Sequence, residues 1–180
     1  MNERTTLSTR LEIARVPTPV GGLMLAVSER GLCALHFADR EAPFRRSLEQ
    51  RFPGHSTARG PRADAVAARL REYLAGAVGV VDTLDVDTGG TPFQQEVWCA
   101  LRDIPAGEPI SYGELARRIG RPGAQRAVGA ANGANPVSIV VPCHRVIASD
   151  GSLHGYGGGL DRKRWLLDHE TRHTFALAGQ

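Results

Sequence analysis

The most informative stretch of the chain reads Val137-Ser138-Ile139-Val140-Val141, followed directly by Pro142-Cys143-His144-Arg145-Val146. The apolar run predicts a buried strand, and Pro142 ends it because proline restricts the residue before it and interrupts a hydrogen-bonded ladder. Cys143 is therefore expected at a turn. Cysteine is a strong nucleophile only as the thiolate, which a nearby base or positive charge favours by lowering the thiol pKa. The stretch fits a reactive cysteine beside His144, and it also fits a buried structural cysteine.

Length and composition indicate an ordinary globular protein. The chain has 180 residues, 42% of them hydrophobic and 23% charged, which suffices for one large domain or two small ones. We find no apolar run of membrane-span length and no signal segment, which predicts a cytoplasmic protein without a membrane partner. The three cysteines, at positions 33, 99 and 143, form no CxxC pair, so we expect neither a disulfide framework nor a metal site.

The net charge of +3 is unevenly distributed along the chain. Residues 115–149 contain no acidic residue but carry five arginines, namely Arg117, Arg118, Arg121, Arg126 and Arg145. A local basic surface on a nearly neutral protein favours an anionic partner. A solvated arginine face is the other interpretation, and charge alone does not separate the two.

The first half of the chain has the pattern of a small α/β unit. We expect strands at residues 23–27 and 33–37, amphipathic helices across 44–52 and 66–74, and a last strand over 80–86. Cys33 alternates with core residues on its strand, which favours a structural role. Gly89-Gly90 marks the expected boundary between a domain of residues 1–88 and a second of residues 89–180.

Helix-start signals open the second half. Thr91-Pro92-Phe93-Gln94 combines an N-cap threonine, a proline at the first helical position and a capping-box glutamine. The helix is expected to run to about Ile104. A last helix is expected to begin at Asp161 and to end near Glu170, with a loose tail after it.

Two further short helices are predicted around the acid-free stretch. Ser111 and Glu114 form the pattern of another capping box and open a helix over residues 112–119. Residues 120–123 form a tight turn, and 124–132 form the second helix, so the whole is a helix-turn-helix pattern. The second helix consists mainly of Ala and Gly. Such a thin helix can enter a narrow minor groove, although close packing in a core would also explain its small residues.

Several of these motifs, taken together and in order, resemble one family, the O6-alkylguanine-DNA alkyltransferases, or methylated-DNA–protein-cysteine methyltransferases. The resemblance is strong over residues 91–170 and loose over the first half. Its motifs are Ser111-Tyr112-Gly113, Arg126-Ala127-Val128-Gly129, Asn135-Pro136, Pro142-Cys143-His144-Arg145-Val146, Gly155-Tyr156 and Leu166-Leu167-Asp168-His169-Glu170. It implies an α/β (α+β) fold with an N-terminal ribonuclease H-like antiparallel sheet with helices, and a C-terminal helical domain with the helix-turn-helix.

The resemblance implies a single-turnover DNA repair reaction. Cys143 would accept the alkyl group from O6-alkylguanine, and also from O4-alkylthymine, in an in-line displacement. His144 would act as base, relaying the thiol proton through a water to Glu170, in a Cys–His–carboxylate arrangement. Tyr112 would donate a proton or hydrogen bond to the departing base. No cofactor is expected, because the damaged DNA itself supplies the alkyl group.

The resemblance also assigns residues that bind DNA or the base. The partner would be double-stranded DNA carrying O6-alkylguanine. The protein would bind it from the minor groove as a monomer, and cooperative assembly along DNA is left open. The lesion must leave the stack to be reached, and Arg126 would fill the gap. Asn135 would tie the second helix to the turn that carries Cys143, and the carbonyl of Val146 would accept from the guanine amine. Tyr156 would form a wall of the base pocket. The other expected contacts come from Ala127, Gly129 and Gly157.

Gly157 stands where certain family members carry a serine. A contact to O6 at that position would have to come from the backbone N–H. The absent side chain also predicts a roomier pocket that accepts alkyl groups larger than methyl.

Three other functions are compatible with parts of the sequence. A non-catalytic protein that recognises alkylated bases would flip the lesion without repair, although such proteins replace the cysteine that is present here as Cys143. A plain helix-turn-helix regulator would leave the Cys-His-Glu set unexplained. A Cys-His hydrolase would need an oxyanion hole and would turn over repeatedly.

Overall fold

The computed structural model describes the backbone of residues 8–178 and the side chains of residues 8–174. Residues 1–6, a polar segment that the sequence predicts to be frayed, lie outside the described residues. Within the described part, no helix combines the length and apolarity needed to cross a membrane.

The fold is a mixed α+β arrangement. The strands are β1 (Arg10–Val16), β2 (Leu23–Ser28), β3 (Gly31–Phe37), β4 (Ser56–Ala58), β5 (Ile110–Ser111) and β6 (Val146–Ile147). The α-helices are α1 (Glu41–Arg51), α2 (Pro61–Leu74), α3 (Pro92–Arg102), α4 (Tyr112–Arg118), α5 (Gln125–Gly133) and α6 (Leu160–Ala178). Short 3-10 turns lie at Val80–Thr83 and Cys143–Arg145.

The main sheet has the strand order β3-β2-β1-β4. Strands β1, β2 and β3 form the antiparallel meander that the alternating residues predict, whereas β4 adds to the edge parallel to β1. Every residue of β2 is buried, because this central strand is covered on both faces. The second sheet consists of the parallel pair β5 and β6. It places Val146 directly after the turn Cys143–Arg145, called the reactive turn below.

Residues on both sides of Gly89-Gly90 contribute to one core. The largest cluster of buried side chains includes Leu25 and Tyr73 from the first half, and Trp98 and Leu166 from the second. The backbone is continuous in the same way, since the N–H of Leu35 in β3 donates to the carbonyl of Pro136. The first half therefore supports the turn that carries Cys143.

The helix caps of the second half form largely as predicted. Thr91 and Gln94 satisfy each other's backbone N–H groups in a complete capping box, with Pro92 in the first turn of α3. Ser111 caps α4 by accepting from the N–H of Glu114 at 3.1 Å. The Glu114 carboxylate completes no box of its own; it pairs with arginines of the same helix.

The prediction of a strand over residues 137–141 is wrong. The segment is buried as expected, but it folds as a tight turn in which the N–H of Val141 donates to the carbonyl of Val137. Ile139 adopts a φ of +72°, a left-handed conformation that costs a β-branched residue about 1 to 3 kcal/mol. Only Val137 retains a strand-like bridge, to Leu35. Surrounding packing holds the rest in a shape that apolar periodicity does not encode.

Two other expectations need correction. Residues 80–86 are not a strand: Val80–Thr83 is a 3-10 turn, and only Val86 bridges to β3. The last helix does not end at Glu170, since α6 continues to Ala178 without a loose tail from Thr171. The sequence contains no helix breaker there, and Thr174 connects the extension to the rest of the protein by donating to the carbonyl of Ala106 at 3.3 Å.

Candidate active site

The turn that carries Cys143 is held from the end of α5. The side-chain amide of Asn135 donates to the carbonyl of Val141 at 2.8 Å, and its oxygen accepts from the N–H of Val137 at 2.9 Å. Asn132 donates to the carbonyl of Cys143 at 3.3 Å. The tie that the sequence assigns to Asn135 is thus present in the geometry, and a movement of α5 must act directly on the cysteine turn.

The Cys143 thiol lies in a nearly closed environment, with 6% of the residue exposed. Burial raises the pKa of the thiol, while the Asn135 side chain and the positive charge of Lys163 act in the opposite direction. Desolvation outweighs these neighbours, so the Cys143 thiol is harder to ionise than an ordinary cysteine. The thiol needs a base at the moment of reaction.

A buried carboxylate lies at the centre of the site. His144 and Glu170 are fully buried, and His144 Nε2 is 2.9 Å from Glu170 Oε1. Arg145 donates to both oxygens of the carboxylate, from Nε at 2.9 Å and from Nη2 at 2.9 Å. The Tyr73 hydroxyl donates to Oε1 at 2.8 Å. The link between His144 and Glu170 is direct, and among the described residues the other ring nitrogen, Nδ1, has no hydrogen-bond partner.

The electrostatics of Glu170 follow from these contacts. Burial alone would raise its pKa, but the attraction and hydrogen bonds of His144 and Arg145 hold the pKa far below the ordinary value. Glu170 is therefore ionised at every working pH. A buried carboxylate of this kind orients an imidazole and stabilises its charged form.

Arg145 is not part of the basic surface that the charge distribution predicts. Its side chain is 1% exposed and is used up by Glu170 and the carbonyl of Ile104. A guanidinium suits this position because its planar fork can satisfy a carboxylate on two sides. Arg145, the fourth residue of the motif, thus supplies the counter-charge of the buried Glu170 carboxylate.

Lys163 is a second buried cation that sequence reasoning missed. It is fully buried, and its Nζ donates to the carbonyls of Val146 at 2.7 Å and His154 at 2.8 Å. Because the carbonyl of Val146 has two lone pairs, one remains for the guanine amine that the resemblance assigns to it. The signal was available, since Lys163 is the single lysine of the chain.

A cavity of about 200 Å³ opens beside Cys143. Tyr156 walls it, with its ring 6.4 Å from that of Phe37 and 6.5 Å from that of His144. Gly158 allows this packing, because a Cβ there would lie 2.6 Å from Phe37. A Cβ at Gly157 would meet no atom within 4 Å, so the cavity is open at that point.

Tyr112 lies at the start of α4 and packs against α5. A Cβ at Gly129 would lie 3.8 Å from the Tyr112 ring, an ordinary contact distance, so the ring packs beside this position of α5. Burial and the neighbouring Cys143 raise the pKa of Tyr112. A phenol that keeps its proton at neutral pH can donate it to a leaving group.

Arg126 and Ala127 are not brought to the cysteine; both lie exposed on α5. The other surface arginines of the helix pair are engaged: Arg117 and Arg118 with Glu114, and Arg121 with Glu96. Among the described residues Arg126 has no such partner. It is the free cation of the predicted recognition helix.

The remaining cysteines have different environments. Cys33 is buried and donates to the carbonyl of Ala26 at 3.2 Å, and burial raises the pKa of its thiol to about 12, as suits a structural residue. Cys99 is exposed on α3. Within residues 8–178 no three His, Cys, Asp or Glu side chains are grouped so that they could hold a metal ion.

The depressed pKa of Glu170 predicts a pH-dependent stability. Its ionisation stabilises the folded state fully above the ordinary value of 4.5, and this contribution is lost progressively as the pH falls below 4.5. Glu170→Gln should lower the free energy of unfolding at neutral pH by about 3 to 5 kcal/mol, because Arg145 remains buried without its counter-charge. The same variant should show a shallower loss of stability on acidification, measured by urea unfolding at a series of pH values. Glu108→Gln, at an exposed position, is the control, and an unchanged slope in Glu170→Gln would contradict the analysis.

Comparison with known proteins identifies the family. The family model described as the 6-O-methylguanine DNA methyltransferase DNA-binding domain matches residues 92–172. The methylated-DNA–protein-cysteine methyltransferase of Salmonella typhimurium is 48% identical over 165 residues, with 89% of this chain and 96% of that protein covered. The solved structure of the Mycobacterium tuberculosis O6-methylguanine methyltransferase has a TM-score of 0.74 at 40% identity and covers 91% of this chain and 94% of that chain. M. tuberculosis OGT in complex with DNA has a TM-score of 0.74 at 41% identity, with the same coverage. With the cysteine turn and its buried carboxylate, these similarities establish that the chain belongs to the methylated-DNA–protein-cysteine methyltransferase family.

Proposed function

We propose that this protein repairs DNA by direct reversal, transferring the alkyl group of O6-alkylguanine, or of O4-alkylthymine, to Cys143 in one irreversible turnover. The observation that carries the proposal is the Cys143 thiol in the lining of a cavity, followed in sequence by His144, which contacts the buried, ionised Glu170. A thioether product has no group nearby to reverse it, so each molecule acts once.

The reaction follows from the placement of the protons. The thiol proton passes to His144, through a water at Nδ1, and Glu170 stabilises the imidazolium that results. The new S–C bond forms as the C–O6 bond breaks. The departing guanine takes a proton from Tyr112, whose pKa is raised by burial and by Cys143. The thiol thus loses one proton and the guanine gains one.

DNA binding is assigned to the helix-turn-helix. The lesion would be flipped from the minor-groove side, with the thin helix α5 in the groove and Arg126 in the gap left by the base. Ala127 and Gly129 would approach the backbone closely, the carbonyl of Val146 would accept from the guanine amine, and the N–H of Gly157 would donate to O6. The protein would act as a monomer on one lesion, in the cytoplasm.

The decisive test is mass spectrometry after mixing the protein with duplex DNA that carries one O6-methylguanine. We expect one added CH₂ unit, at one equivalent, on the peptide that contains Cys143, and none in Cys143→Ala. Cys99→Ala is the matched control and should still gain the methyl group. Tight binding to the lesion without any mass gain would contradict the transfer and leave a damage-recognition protein; repeated turnover would indicate a hydrolase.

The exposed, unpaired position of Arg126 leads to a second prediction. Arg126→Ala should slow transfer from duplex DNA about tenfold or more, because a stacked side chain contributes about 1 to 3 kcal/mol to an opened base site. The rate with free O6-benzylguanine should stay unchanged, since no base is flipped. Arg69→Ala, at an exposed ion pair on α2, controls for loss of charge. Equal losses on the duplex and on the free base would show that Arg126 acts on the fold instead.

The open space at Gly157 predicts tolerance of large alkyl groups. The wild-type protein should react with O6-methylguanine and O6-benzylguanine oligonucleotides at comparable rates. Gly157→Val should slow the benzyl reaction more than the methyl reaction, because a branched side chain fills the open side of the cavity. Single-turnover rates on the two oligonucleotides measure this, and strong rejection of the benzyl lesion by the wild-type protein would refute the hypothesis.

A further inference from the structure

Tyr73 is a buried polar side chain that the proposed reaction does not use. It lies in α2, in the first half of the chain, and none of its surface is exposed. Its hydroxyl donates to Glu170 Oε1 at 2.8 Å across 97 positions of sequence. The first half of the protein therefore touches the carboxylate that supports His144.

The position of Tyr73 is fixed by its backbone as well as by its hydroxyl. Its backbone carbonyl is 2.8 Å from His169 Nε2, and the His169 ring stacks on that of Trp165 at 4.8 Å. Burial, and then the charge of Glu170, raise the pKa of Tyr73 well above its ordinary value. The phenol thus remains a hydrogen-bond donor throughout the range in which the protein works.

The two oxygens of Glu170 are not equivalent. Oε2 accepts one hydrogen bond, from Arg145, whereas Oε1 accepts from Arg145, from Tyr73 and from the imidazole of His144. A carboxylate oxygen offers two lone pairs, and three donors share those of Oε1, so each bond is weaker than it would be alone. The hydroxyl of Tyr73 therefore competes with His144 for Oε1.

We propose that Tyr73 is a positioning residue for alkyl transfer. Its hydroxyl fixes the Glu170 carboxylate through a hydrogen bond to Oε1, and the same bond limits how strongly that carboxylate stabilises the protonated imidazole of His144. This inference rests on the proposed function only in that His144 is taken as the base. A base must be unprotonated when the thiol arrives. By occupying Oε1, the Tyr73 hydroxyl limits the stabilisation that Glu170 can give to a proton on His144.

The direction of the effect depends on the groups that face Glu170 and His144. These are Arg145, Tyr73 from α2, Asp82 from the 3-10 turn, His169 from α6, and Tyr156. Tyr73→Phe changes none of these charges and keeps the ring. Removal of the hydroxyl makes Oε1 a stronger acceptor for His144 and favours the imidazolium. The proton then occupies the base at higher pH, and the reaction is lost earlier on acidification.

The test is the single-turnover rate of methyl transfer between about pH 5 and 9, a range that spans the titration of a catalytic histidine. Tyr73→Phe should move the acid limb of the profile to higher pH by about half a unit, the size expected for one lost hydrogen bond. Thr174→Val is the matched control, because its hydroxyl donates only to the backbone carbonyls of Glu170 and Ala106. It should leave the limb in place. A folded Tyr73→Phe with the wild-type limb overturns the proposal.

A second measurement separates this inference from the proposed function. An NMR titration of the His144 imidazole, without DNA, should show the same upward shift in Tyr73→Phe, even if the wild-type protein transfers no methyl group. Where the phenylalanine variant fails to fold, ring-fluorinated tyrosine at position 73 offers a stronger donor of nearly equal volume. It should shift the titration to lower pH, and a shift in the opposite direction, or none, overturns the proposal.

Discussion

The buried carboxylate of Glu170 is the constraint on which the rest of the site depends. An ionised carboxylate cannot stay inside a protein without compensation, and here Arg145 supplies the charge while His144 and Tyr73 supply further donors. These partners come from the turn Cys143–Arg145 and from α2, and Glu170 itself lies in α6. Glu170 therefore connects three segments that are far apart in sequence. Its contact with His144 also orients the imidazole beside Cys143.

The second half of the chain could be predicted best, because its signals are local. The caps at Thr91 and Ser111 operate over three residues, and the structure forms α3 and α4 close to the predicted bounds. The turn at residues 137–141 could not be predicted, because the left-handed Ile139 is held by long-range packing and by Asn135, not by propensity.

The site itself was predicted only where a motif names its residues. Cys143, His144 and Glu170 came from the family resemblance, and the geometry brings the last two into contact. Tyr73 carried no signal, since a tyrosine on the apolar stripe of a helix looks like any core residue. Arg145 was counted with the surface charge, because a sequence shows that a residue is charged but not that it pairs with a buried carboxylate such as Glu170.

Lys163 has a practical consequence beyond the chemistry. It is the only lysine in the sequence, and the folded protein buries its amine against two carbonyl groups beside the cysteine pocket. Reagents that modify amines should therefore spare this side chain while the pocket is intact. The extent of Lys163 modification thus reports local opening of the turn that carries Cys143, and it can be compared between the alkylated and the unreacted protein by mass spectrometry.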